Sequence, residues 1–186
     1  MPDYLITGVG GQGTVLASKM IAAAAMGCGY NVRTTETIGM AQRGGSVVSH
    51  IRVGDVVYSP LIPIGRADAL IAFEPTEGAR CLHYLSPQGG LIVCDMAAGA
   101  VEAGEALDYI KNNVAGAVIL PCERIKAHSA RTLNVAVLAA AAEHGLFPFG
   151  AEALKAVIAS LIPQRFWDMN YSAFDMGREL YSEIIR

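Results

Sequence analysis

Charge and clustered cysteines are both scarce in this chain, and each shortage excludes something. Charged residues make up 17% of 186 positions, with 14 Lys and Arg against 17 Asp and Glu, a formal net charge of −3. A binder of phosphate backbones needs a basic surplus, so no nucleic-acid partner is expected. The longest apolar stretch, Val15 to Met26, is interrupted by Ser18 and Lys19. It is too short to cross about 30 Å of hydrocarbon. No basic region precedes the first strand, so neither a secretory leader nor a membrane partner is expected, and the expected location is cytoplasmic. The four cysteines, Cys28, Cys81, Cys94 and Cys122, form no CxxC and no run able to hold an iron–sulfur cluster. Isolated in apolar settings such as Val93-Cys94 and Pro121-Cys122, they read as small buried hydrophobes. His50, His83, His128 and His144 are scattered, with no HExxH, so no metal site is expected.

What the chain does have is apolar mass. Hydrophobic residues are 53% of it, which excludes disorder and suggests more apolar surface than a small monomer hides. A partner subunit is therefore expected. The length fits one domain, with no linker or repeat to mark a second.

The expected fold is a single α/β domain over residues 1–186, a doubly wound, mostly parallel, Rossmann-like sheet with an inserted hairpin and a helical C-terminus. Residues 4–9 form an apolar run ending at glycines, 14–26 are rich in helix formers, and 30–36 read as a second strand. The stretch 46–53 alternates, Gly54-Asp55 can turn, and Val56-Val57-Tyr58 reads as the returning arm of a hairpin. Strands at 69–73, 91–95 and 117–120 alternate with helices at 76–85 and 105–112. Helices follow at about 131–144, 151–162 and 172–185.

Gly8, Gly10 and Gly13 satisfy GxGxxG between a strand and a helix, with Gly11 and Gln12 inside the motif. Such a turn lets backbone approach an anionic group at a helix N-terminus. Glu36, 23 positions after Gly13, stands where a dinucleotide fold places its ribose ligand. A free-standing dinucleotide-dependent oxidoreductase, or a small nucleotide-binding module, therefore competes with a tight turn that holds no ligand. Against the dinucleotide, Gln12 is polar where such folds carry a small residue, and Glu36 leads into another glycine loop. That second loop includes Ala41-Gln42-Arg43-Gly44-Gly45. Arg43 suits a phosphate or carboxylate, or pairs with Glu36 to hold the loop shut. Glu74, Glu77 and Asp95 near strand ends form no acid/base pair and read as solvated loop carboxylates. No catalytic residue is assigned.

The two loops together, Gly8-x-Gly10-Gly11-Gln12-Gly13 and Glu36-Thr37-x-Gly39-x-Ala41-Gln42-Arg43-Gly44-Gly45, resemble the gamma-type subunits of 2-oxoacid:ferredoxin oxidoreductases. Ala67-Asp68-Ala69-Leu70 and Arg131-x-x-Asn134 extend the resemblance over essentially the whole chain. The single-domain layout is most similar to the indolepyruvate type. The resemblance implies oxidative decarboxylation of a 2-oxoacid, such as indolepyruvate or pyruvate, to an acyl-CoA with electrons passed to ferredoxin. Thiamine diphosphate and the iron–sulfur clusters would lie in larger partner subunits, and this chain, inactive alone, would bind none of them. Its implied work is to complete an interface and contact coenzyme A through Gly8, Gly10, Gly11, Gln12, Gly13, Gln42, Arg43 and Gly44. The segment Arg165 to Tyr171 and the apolar stripe of the last helix suggest a homodimer face, or a helix packed on its own sheet.

Overall fold

The computed structural model describes residues 2–39, 44–95 and 100–186, so Gln42 and Arg43 lie outside the described residues. These residues form six strands, β1 (Asp3–Val9), β2 (Asn31–Ile38), β3 (Ser46–Gly54), β4 (Ala67–Ala72), β5 (Leu85–Cys94) and β6 (Val118–Leu120). The helices are α1 (Thr14–Gly27), α2 (Pro75–Cys81), α3 (Ala100–Asn113), α4 (Cys122–Ser129), α5 (Leu133–Glu143), α6 (Gly150–Ala156), α7 (Ile158–Leu161) and α8 (Trp167–Ile184). The strands make one sheet in the order β2-β3-β1-β4-β5-β6. From β1 to β6 the pairings are parallel, and both ladders of β3 are antiparallel.

Strand β1 is central, and six of its seven residues are buried. Both faces of the sheet are covered, which is why it reads as an apolar run without alternation. Tyr4 and Ile6 face one layer with Ala69, Ile71 and Ile92, packed against α1, α5 and α8. Leu5 faces the other with Leu70, Ala72, Leu91 and Val93, under Cys81 of α2 and Ile110 of α3. The result is a three-layer sandwich. Helix α5 is buried on every side from Leu133 to Ala142, the pattern of a helix enclosed between a sheet and another helix. The apolar stripe of α8 (Ala173, Phe174, Gly177, Leu180 and Tyr181) turns inward onto it. Thus the stripe makes an internal contact, and only Ile184 and Ile185 at its end are exposed.

The hairpin differs from the sequence reading. Strand β3 forms over 46–54, but its antiparallel partner is β2, and residues 56–58 form no strand. Two physical reasons fix this. The 39–45 connection is too short for a parallel crossover, so β2 and β3 must run antiparallel. Strand β3 then has β2 on one edge and β1 on the other, leaving no edge for Val56-Val57-Tyr58. The expected strands at 4–9, 69–73, 91–95 and 117–120 all form, and β5 begins earlier, at Leu85. Helix α4 was not anticipated.

The cysteine reading is also corrected. Cys94, at the end of β5, and Cys122, at the start of α4, are joined by a disulfide with their Cα atoms 5.6 Å apart. Cys81 is a buried thiol, as expected, and Cys28 is exposed. Strand β5 and α4 meet at the sheet edge, so residues 28 positions apart become neighbours.

Candidate functional site

The chain reverses its direction of winding at β1. From there it crosses to β2, returns to β3 beside β1, then continues on the other side through β4, β5 and β6. Open α/β sheets bind ligands in the crevice above such a switch point, at the carboxyl ends of the parallel strands. Residues 8–13 leave the end of β1 at this crevice and lead into α1. Because β3 runs antiparallel, its first residue, Ser46, pairs with Val9 at the same rim. The two glycine turns therefore meet. The Gly10 N–H donates to Gly45 O at 2.8 Å, and the Gly39 N–H closes the base of its loop on Ser46 O at 2.8 Å.

The first turn is shaped by backbone. Gly13, the residue before α1, has φ +82°, and a Cβ there would lie 2.6 Å from Asn134 Nδ2. Both the conformation and the close approach require glycine. Asn134 Nδ2 donates to Gly13 O at 3.3 Å, tying the turn to α5. No side chain caps α1, and no acidic residue stands in its first turn, so the first amides of this 14-residue helix face the rim. Gly11 and Gly44 each have positive φ, and among the described residues nothing lies within 4 Å of where a Cβ would project.

Gln12 has a different place from the one the motif suggests. Its Oε1 accepts the Val9 N–H at 2.8 Å, and its Nε2 donates to Phe73 O at 3.3 Å. The side chain fastens the turn to the end of β4. Gly8 lies within β1 beneath it, where a Cβ would press on Gln12 Oε1. The backbone of Gly10, Gly11 and Gly13 thus forms the rim, with Gly44 close by beside Gly45.

Glu74 and Glu77 are not solvated. Each is only 4% exposed. Glu74 caps α2, its Oε2 accepting the Glu77 N–H at 2.7 Å, with Pro75 following. Glu77 Oε2 accepts from Ser46 Oγ at 2.5 Å, and Oε1 pairs with Arg80 at 2.7 Å. One carboxylate thus anchors the exit of the second glycine turn to α2. The Glu-Pro-x-Glu spacing is a capping signature that sequence reasoning could have used. Asp95 is also engaged, its Oδ1 accepting the Cys122 N–H at 2.8 Å.

Glu36 sits far from where a ribose ligand belongs. It pairs with Ser49, which pairs with Ile6, midway along β1. Two strand spacings, about 9.5 Å, separate it from β1. The intervening β3 removes the acidic half of the dinucleotide fingerprint. Among the described residues, no group of three or more His, Cys, Asp or Glu side chains could hold a metal ion. No helix of the structure is long and apolar enough to cross a membrane.

An open α/β sheet with two glycine turns joined at its switch point defines the architecture of the site. The family model for pyruvate ferredoxin/flavodoxin oxidoreductase matches residues 3–180. The chain is 35% identical to indolepyruvate oxidoreductase subunit IorB of Pyrococcus horikoshii over 201 aligned positions, covering all of this chain and 99% of that one. The fold matches the gamma subunit of a keto/oxoacid ferredoxin oxidoreductase from Geobacter sulfurreducens, with TM-score 0.71 and 23% identity over 98% of this chain and 99% of that one. It also matches 31% of a chain of the 2-oxoglutarate:ferredoxin oxidoreductase of Magnetococcus marinus, with TM-score 0.75, 23% identity and 98% of this chain covered. The chain belongs to the pyruvate ferredoxin/flavodoxin oxidoreductase family, as a small subunit of a 2-oxoacid:ferredoxin oxidoreductase, and has the fold of the gamma subunits.

Proposed function

We propose that this subunit docks its glycine rim against the thiamine- and cluster-bearing subunit of an indolepyruvate-type oxidoreductase, and that the rim supplies one wall of the coenzyme A pocket. The observation that carries the reading is the Gly10–Gly45 backbone bond, which holds two glycine turns together beside the uncapped start of α1. Backbone amides there suit an anionic phosphate, and open space at Gly11 and Gly44 lets a bulky ligand approach. The 35% identity to an indolepyruvate oxidoreductase subunit over the full chain supports that substrate class. Within the complex, thiamine diphosphate supplies decarboxylation and the clusters carry electrons to ferredoxin. This chain's part is to bind and orient coenzyme A, and Arg43, on the second loop, provides a bidentate partner for phosphate or for a carboxylate of the larger subunit.

The test uses the assembled complex. Gly11→Glu places a carboxylate at the start of α1, and Arg43→Ala removes the guanidinium. Each raises KM for coenzyme A about tenfold, the loss of roughly one charge-assisted hydrogen bond, and leaves KM for the 2-oxoacid unchanged. Unchanged coenzyme A kinetics and unchanged subunit association in both variants would refute the proposal.

A further inference from the structure

The pole of the molecule opposite the glycine rim carries a second, unpartnered surface. Strand β3 begins at the rim with Ser46 and ends eight residues later at Gly54. The two surfaces are therefore about 26 Å apart along that strand. Beyond Gly54 the chain leaves the sheet as an extended ridge, with Val56 53% and Tyr58 94% exposed. On one side of the ridge lies a 570 Å³ groove whose other wall includes Met26 and Tyr30, and on the other side a smaller one of 170 Å³. Met26 is itself 57% exposed. The larger groove holds one cation and one anion, Arg33 and Asp55, both exposed and neither in an ion pair among the described residues.

We infer that this face binds a second copy of the chain about a twofold axis, the Tyr58 ridge of each copy lying in the Met26–Tyr30 groove of the other. Three features select this occupant. The face carries both a ridge and a groove, so it is complementary to itself, and a twofold contact of one patch with itself closes as a dimer. Its charges are balanced. A twofold axis sets Arg33 of each copy toward Asp55 of the other, whereas a partner of either single sign would leave one of the two groups buried without a counter-charge. Met26, Tyr30 and Tyr58 line the groove together with Arg33, residue types enriched at subunit interfaces. The dimer also leaves both glycine rims pointing outward, free to engage a larger subunit each. This assignment does not depend on the coenzyme A reading.

The experiment is light scattering on the purified full chain, run from about 1 to 200 μM, the range of moderate to weak association. The expected particle is twice the 19.6 kDa chain mass. Tyr58→Asp removes a hot-spot residue twice per dimer, at about 30-fold each, and raises Kd about 1000-fold. Arg33→Asp also yields a monomer, and Arg33→Asp combined with Asp55→Arg restores the dimer. Far-ultraviolet circular dichroism checks that each variant remains folded. A wild-type chain that stays monomeric throughout, or a dimer that survives both Tyr58→Asp and Arg33→Asp, overturns the inference. So does a monomeric chain whose Tyr58→Asp variant loses only its co-purification with the larger subunit, a result that assigns the face to that subunit instead.

Discussion

Two glycines inside helices invite the same substitution and should respond with opposite signs. Gly177 lies in α8 where it crosses α5. A Cβ built there falls well inside contact with the Ala136 carbonyl oxygen and lies 2.7 Å from its carbon and 2.8 Å from Ala136 Cα. Carbon atoms pack at about 3.5–4.0 Å, so the helices must part by something near 1 Å. The neighbour is backbone of a helix buried on every side, which cannot rotate aside. Overpacking of this kind costs about 3 kcal/mol, outweighing the ~1 kcal/mol that Gly→Ala returns in helix propensity. Gly104, in α3, is exposed and has nothing within 4 Å of its Cβ position. There the propensity gain stands alone. At roughly 2–4 °C per kcal/mol for a chain of this size, Gly177→Ala should lower Tm by about 4–8 °C and Gly104→Ala raise it by about 2–4 °C. Differential scanning calorimetry on both variants and the parent measures this. A Gly177→Ala protein melting within a degree of the parent would show that α8 does not touch α5 as described.

Three further outcomes follow from the packing. Closing the 28-residue span between Cys94 and Cys122 contributes about 3.6 kcal/mol on the chain-entropy estimate, so reduction with dithiothreitol should lower Tm by about 7–14 °C, and a melting curve indifferent to reductant would contradict the cross-link. The Tyr4 hydroxyl is buried without a hydrogen-bond partner among the described residues, with its ring edge-on to Phe147 at 5.1 Å. Burial pushes its phenol well above the ordinary range. Tyr4→Phe removes the orphaned hydroxyl and keeps the ring, and should stabilise by about 1 kcal/mol in urea denaturation, where a loss of stability would reveal a missed partner. Burial also holds His50 and His144 below the usual imidazole range. With folded pKa values depressed, the unfolded chain binds protons first, so stability is full above about pH 6.5 and declines as pH falls below it. Thermal melts from pH 8 to pH 5 should show that decline, and replacing His50 with Gln should make it shallower. An equal slope in the variant would remove His50 from the account.

Much of the site was legible because backbone chemistry leaves a mark in composition. Glycines grouped after an apolar run announce a turn that approaches a helix start, and Gly10, Gly11 and Gly13 lie where that argument puts them. Composition does not announce the part Gln12 plays in its own loop, where its side chain bonds Val9 and Phe73. Glu74 and Glu77 were read as solvated by the ordinary habit of carboxylates, yet both are buried with partners drawn from β3 and α2.

Local pattern determined the alternation of strands and helices, the two glycine turns and the presence of a helix at α5, because each depends on neighbours within a few residues along the chain. Tertiary structure decided which strands lie side by side. Once β3 was inserted between β1 and β2, Glu36 was carried two strands from β1 and residues 56–58 had no free edge of β3 to pair with, while on the other side of the sheet Cys94 at the end of β5 met Cys122 at the start of α4. Those outcomes rest on contacts between distant segments, where loop length and the scarcity of free sheet edges outweigh any local preference.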